Sequence, residues 1–307
     1  MRLLYLPLLA PGGASEQYDL IDVLKNRFTL SVLDYLSSNN PTIDLMQRCE
    51  EFKPDIIHGQ YQETNKISPE ILFEIKSRWP SVLLTQWCGD IRATPIKQVV
   101  DLGRQCDLTL ISNTGQLSEY RDVVKKPVRY WQNAVGPRFF TTATYNGGIV
   151  FCGNRYGHFP LSCERDTLVD AFRKKGNFRL YGSGWESSWG QPIAWERQPE
   201  VYRDARVILG HNHVNASGFF SDRQLIAMAS GVPHLCRYSP ELEDTFDNWK
   251  DCVFYTSVDD AIEKAQWLID HPTHAQCIGI AGRERINREH TWEVRVSEFE
   301  QLIKELT

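Results

Sequence analysis

Short, almost wholly apolar runs alternate with helix-length stretches along the whole chain, and this alternation leaves few folds open. RLLYLPL (2–8), FTLSVLDY (28–35), DIIHGQY (55–61), SVLLTQW (81–87), DLTLIS (107–112) and VRYWQN (128–133) read as strands. TIDLMQRCEEF, SPEILFEIKSRW and IKQVVDLGRQ lie between them and read as helices. The second opens on Ser68 as cap, with Pro69 in its first turn. Strands that are apolar on both faces belong to a parallel sheet covered on both sides. GPRFFTTATYNGG (136–148) breaks the rhythm with Gly, Pro, Thr and Asn and reads as a linker. A second set follows: GIVFCG (148–153), FRLYGSG (178–184), ARVILGH (205–211), VPHLCR (232–237) and DCVFYT (251–256). Helices are predicted over 161–175, 222–230, 258–270, 273–288 and 291–305. The expectation is therefore an α/β chain of two doubly wound parallel-sheet domains, 1–140 and 141–290, with a helix at 291–307 packing back on the first. Ligands of such sheets bind at the carboxyl ends of the strands, which places the expected site in a cleft between the two domains.

Length and charge agree with this division and exclude several functions. The chain has 307 residues, 42% apolar and 24% charged, which is ample for two cores. A net charge of −5 provides no global basic field for nucleic acid or anionic membrane. The apolar start RLLYLPLL is too short to span a bilayer and reads as a buried strand. Eight cysteines are scattered without a CxxC pair, so neither a zinc knuckle nor a disulfide frame is expected, and a reducing cytoplasm is.

SDRQLIAMASGVP (221–233) concentrates the chemistry. Asp222 suits a helix start, Leu225, Ile226, Met228 and Ala229 supply an apolar side, and Gly231 stops the helix. Ser221 and Arg223 in its first turn offer free N–H groups and a guanidinium pointing one way, a place for a phosphate. The same residues also suit a tightly packed helix whose Arg is merely solvated. Gly153, Asn154 and Arg155 follow a strand, as the glycine-bearing turn of a nucleotide phosphate site does, and Arg155 can bridge a diphosphate. Ser183 and Gly184 end the next strand in a loop that can lie against a nucleobase, and Trp185 can stack on the base or fill the interdomain surface. His211 and Asn212 end a further strand. His211 with His213 invites a metal reading, but no carboxylate or Cys completes a recognisable ligand set, so no metal is expected.

In the first half, Gly12 and Gly13 shape a loop after strand one without the GxGxxG spacing of a dinucleotide site. Asp90 follows strand four and suits a base for an acceptor hydroxyl, or a partner for Arg92. His58 ends strand three and suits a base or a sugar contact, or a satisfied core residue. The cluster Arg121, Lys125, Lys126, Arg129 and Arg138, near Trp131, is either a solvated face or a local stripe for an anionic acceptor.

Arg223, the Ala-rich turn and Gly231, followed by a strand, resemble the R-x-x-E-A-x-A-x-G donor helix of GT-B glycosyltransferases, in particular the group 1, spore-maturation-protein-like (CgeB-like) branch. FCGN (151–154), YGSGWE (181–186), VYRDARVILGHN (201–212) and the tail 271–296 fall in that family's order, so the resemblance covers about 148–300. It implies two Rossmann-like domains and transfer of a sugar from a nucleotide sugar, a UDP-sugar first, to an acceptor hydroxyl, with no metal or other cofactor. It implies donor contacts at Gly153, Asn154, Arg155, Ser183, Gly184, Trp185, His211, Asn212, Ser221 and Arg223. Acceptor contacts are expected at Gly12, Gly13, Arg92, Arg129 and Trp131, with Asp90 and His58 facing the transferred sugar. One departure stands out: the family's Glu, which contacts the nucleotide ribose, is Ile226 here. The acceptor stays open between 5-hydroxymethylated pyrimidine in viral DNA and a saccharide, lipid or protein. Two rivals remain: a nucleotide-sugar epimerase or hydrolase, and an inactive nucleotide-sugar-binding module. A monomer or weak dimer is expected.

Overall fold

The structure is a computed structural model that describes residues 1–9, 16–62 and 64–306. The chain forms two compact units, one of Met1–Asn133 with Arg295–Thr307, the other of Ala134–Val294. Each is built on its own six-stranded sheet.

In the first unit the strands are β1 (Arg2–Leu6), β2 (Thr29–Val32), β3 (Ile56–Gly59), β4 (Leu83–Cys88), β5 (Leu108–Ile111) and β6 (Val128–Tyr130). They lie in the order β2-β1-β3-β4-β5-β6, with every pairing parallel. Helices α1 (Gln17–Arg27), α2 (Pro41–Phe52), α3 (Pro69–Arg78), α4 (Lys97–Gly103) and α5 (Leu117–Val124) connect them. Local chemistry sets their starts. Asn40 caps α2 by accepting from the Ile43 N–H at 3.3 Å, ahead of Pro41, and Ser68 holds the N-cap of α3 ahead of Pro69.

The second unit has β7 (Ile149–Cys152), β8 (Phe178–Tyr181), β9 (Gly190–Gln191), β10 (Val207–Gly210), β11 (His234–Arg237) and β12 (Val253–Tyr255). Their order is β12-β11-β10-β7-β8-β9, again all parallel. Its helices are α6 (Ser162–Lys175), α7 (Gln198–Tyr202), α8 (Asp222–Ala229), α9 (Val258–Asp270) and α10 (Pro272–Glu289). A last helix, α11 (Trp292–Lys304), begins in this unit and from Arg295 onward belongs to the first.

The apolar runs are continuous because both faces of each sheet are covered. Along β7, Val150 and Cys152 enter one core cluster with Ile208 and Phe254, while Ile149 and Phe151 enter another with Val207 and Leu209. The strand order reverses between β7 and β10, so the loops after these two strands diverge. Such a switch point leaves a crevice at the carboxyl edge of the sheet. All eleven strands read from the sequence are present. The two-residue β9 is additional; it is too short to carry any periodicity.

Candidate functional site

The loops that follow β7 and β8 form one rigid piece. The Gly153 N–H donates to Tyr181 O at 2.8 Å, Arg155 N–H to Ser183 O at 2.9 Å, and Ser183 N–H to Asn154 Oδ1 at 2.8 Å. Glycine is required where they touch. Gly182 sits at φ 135°, and a Cβ there would lie 2.2 Å from Gly153 O; at Gly184, φ 83°, it would lie 2.6 Å from Arg155 O. Neither obstacle is a flexible side-chain end. Gly182→Ala is therefore expected to lower stability by roughly 1–3 kcal/mol, read by thermal melting, because an L side chain is strained at this φ.

Arg165, in the first turn of α6, ties this loop pair to the loop after β10. Its guanidinium donates to Asn154 O at 2.8 Å, to His211 O, and contacts His213 Nε2. The residue is 1% exposed and no carboxylate comes within 4 Å of it among the described residues. Burial, then the charge of Arg223, pulls its pKa down to about 8. The same two arginines and burial drive His213 to about 3, with burial the largest cause, so its ring is neutral.

Beside it, Glu164 Oε1 accepts from Arg237 Nε at 2.6 Å and lies 3.4 Å from His211 Nε2. These partners, His211 first, hold the Glu164 carboxyl down at about 2. Burial outweighs Glu164 at His211, whose own pKa falls below the ordinary imidazole value.

These loops meet the start of α8. Ser221 occupies its N-cap with extended backbone (φ −91°, ψ 164°) and makes no side-chain cap. A narrow cavity of about 10 Å³ opens here, lined by Gly210, His211, Asn212, Ser221, Arg223 and Arg237, among others. Arg223 is half-buried and has no ion pair among the described residues. Two guanidiniums, Arg223 and the Glu164-paired Arg237, thus line the cavity beside a helix N-terminus whose first turn also carries Asp222. Such an arrangement attracts an anion with several oxygens.

Four of the expected donor residues, His211, Asn212, Ser221 and Arg223, line this single cavity. Gly153, Asn154, Ser183 and Gly184 build the adjoining loop pair. Arg155 forms an exposed ion pair with Asp166, Nε to Oδ1 at 3.0 Å and Nη2 to Oδ2 at 2.7 Å. One expectation needs correction. Trp185 does not form an open stacking face: it is 9% exposed, its Nε1 donates to Gly153 O at 2.7 Å, and its ring meets Phe151 edge-on. It supports the loop from beneath. Ile226, the departure from the family pattern, is 1% exposed within the apolar cluster of Val150, Ile208 and Met228.

In the first unit, Asp90 follows β4 as a partly exposed carboxylate, 3.5 Å from Arg92 Nη2, and Arg129 is exposed on β6. His58 and Trp131 are corrections. His58 is buried on β3, bonded through Nδ1 to Thr85 Oγ1 at 2.8 Å and packed against Tyr5 and, at 4.8 Å, Phe299. Burial lowers its pKa to about 3, which makes it a neutral core residue rather than a base facing a ligand. Trp131 is equally interior, donating to Arg295 O at 2.8 Å. Gly12 and Gly13 lie outside the described residues. Arg138 belongs to the second unit, where its guanidinium lies over Trp195 at 4.9 Å.

Sequence reasoning missed Glu164, Arg165 and Arg237. SCERDT at the start of α6 carries no pattern that separates a buried arginine from a solvated one.

Comparison with known proteins bears on the whole architecture. Over its full length the chain superposes on sucrose-phosphate synthase from Thermosynechococcus elongatus, with a TM-score of 0.74, 12% identity and 99% of that chain covered. Anabaena HepE, solved in complex with UDP-glucose, matches 99% of this chain and 100% of its own, with a TM-score of 0.69 and 10% identity. A glycosyltransferase from Rickettsia africae gives 0.66 at 11% identity, covering 99% of this chain and 98% of that one. The fold is GT-B. Residues 165–301, which include the cavity's α8, match the family described as glycosyl transferase-like. No curated protein matches the sequence. The likeness to that family thus lies in residues 165–301 of a chain with a GT-B fold, and no described helix is long and apolar enough to cross a membrane.

Proposed function

We propose that the protein is a glycosyltransferase that takes its sugar from a nucleoside diphosphate sugar, a UDP-sugar first, and holds the diphosphate in the cavity at the start of α8. The observation that carries this reading is Arg223, a half-buried cation without an ion pair among the described residues, in the first turn of an uncapped helix beside Arg237. HepE, which shares the fold, was solved with UDP-glucose. The order of motifs around Arg223 and Gly231 supports the spore-maturation-protein-like branch.

In the reaction, an acceptor hydroxyl attacks the anomeric carbon, the bond from that carbon to the phosphate oxygen breaks, and the diphosphate leaves with the electron pair. Arg223 and Arg237 meet the charge that grows on the leaving group, each charged hydrogen bond being worth roughly 1.5–3 kcal/mol. Two guanidiniums and a helix N-terminus supply what a divalent cation would otherwise supply, so no metal is required. Asp90 is the proposed proton acceptor in the first unit, supported by its exposed carboxylate. The branch implies retention of configuration, and Asp90 acting as a base implies inversion; the anomer of the product decides between them.

The acceptor is a hydroxyl, with 5-hydroxymethylated pyrimidine in DNA one candidate beside saccharides, lipids and proteins. The test is UDP release from UDP-sugars across this acceptor panel, with and without EDTA. Acceptor-dependent release unaffected by EDTA is expected. Release without any acceptor would instead identify a hydrolase. Binding without release would identify the binding module that Ile226, sealed in the core, favours.

A further inference from the structure

Gln224 follows Arg223 in the first turn of α8 and is 3% exposed. Its amide Nε2 is buried without a hydrogen-bond partner, and the residue lines the same cavity as Ser221, Arg223 and Arg237. A glutamine at this position of a helix commonly reaches back to the backbone of the cap residue. Here α8 has no such arrangement: its Gln224 N–H donates to Ser221 O at 3.0 Å, while the side chain stays unpaired. A buried amide without a partner is costly, and such groups recur where a ligand completes the set. The lining beside Gln224 carries the guanidiniums of Arg223 and Arg237, which suit a ligand rich in acceptor oxygens.

We infer that Gln224 is a donor-binding residue whose amide N–H bonds an oxygen of the diphosphate, beside the guanidinium of Arg223. This rests on the reading of the cavity as the diphosphate site. The neutral amide adds direction to a pocket whose other groups attract mainly by charge. It also replaces no contact already made inside the protein, so the ligand gains a bond at no cost to the fold.

The test is calorimetric titration of UDP and of inorganic pyrophosphate into the wild type, Gln224→Met and Arg223→Ala, with thermal melting of each unliganded protein. Gln224→Met keeps the side-chain length and removes the unpaired amide. Its melting temperature is expected to equal or exceed that of the wild type, while UDP and pyrophosphate both bind at least tenfold more weakly. If Gln224→Met melts abnormally, Gln224→Glu serves in its place; a carboxylate there should repel both ligands at least as strongly. UDP binding within twofold of wild type in a folded Gln224 variant would overturn the inference. So would weakened UDP with unchanged pyrophosphate, which would put the amide on the nucleoside. Loss of binding in Arg223→Ala but not in the Gln224 variants would defeat this inference alone. A wild type that binds neither ligand would defeat the diphosphate site itself, and this inference with it.

Discussion

Replacing Arg223 by Ala is expected to weaken UDP binding by roughly 10- to 100-fold and to lower kcat for sugar transfer by a larger factor. The two effects differ because the diphosphate carries more charge as it leaves than it does in the bound sugar nucleotide, and only the interaction that strengthens in the transition state raises kcat. Folding should hardly change. Arg223 has no ion pair to break among the described residues, and the Leu225, Ile226 and Met228 side of α8, which anchors the helix, is untouched. Removing a cation beside Arg165 also relieves repulsion, since the Arg223 charge helps to pull the Arg165 pKa down to about 8. A melting temperature at or slightly above that of the wild type should therefore accompany the lost affinity. Steady-state kinetics with a UDP-sugar, read beside the melt, checks both parts.

Trp131→Ala should do the reverse, destabilising the first unit while leaving the cavity chemistry intact. The indole is 2% exposed and meets Trp87 edge-on at 5.0 Å, Phe299 at 6.0 Å and His58 at 5.9 Å. Its Nε1 donates to Arg295 O, linking the end of β6 to α11 across more than half the chain. Truncating a buried tryptophan costs roughly 3–5 kcal/mol, through lost burial and the cavity left behind. The carbonyl of Arg295 loses this donor as well. The first unit should melt roughly 10 °C lower, read by calorimetry or circular dichroism. A Trp131→Ala protein that melts like the wild type but transfers sugar poorly would return Trp131 to the acceptor site.

Arg223 and Trp131 mark what a sequence like this does and does not disclose. Strands buried on both faces are legible because their apolar runs are unbroken, as in the LLYL of β1 or the VIL of β10. The α8 segment is legible for a similar reason: its apolar side is contiguous, and Gly231, at φ 79°, marks its end. Position along a strand is a poorer guide to which way a side chain faces. His58 and Trp131 stand near strand ends, where ligand contacts are common, yet both are covered by Phe299, which arrives from the last helix of the chain. No local pattern announces such a contact. The same holds for Arg165, Glu164, Arg237 and Gln224. Their roles come from burial and from neighbours brought together by the order of the strands, while in sequence they are ordinary polar residues. Trp185 was legible as an aromatic beside a glycine loop, but its indole N–H turns back to Gly153 O and holds that loop in place.

The central claim is that the cavity at the start of α8 takes a nucleoside diphosphate, and titration of UDP into the purified wild-type protein by calorimetry tests it most directly. The account predicts one UDP per chain, binding that survives EDTA, and affinity that falls by roughly 10- to 100-fold in Arg223→Ala. No heat and no thermal protection at about 1 mM UDP, or equal affinity in the wild type and Arg223→Ala, would contradict it.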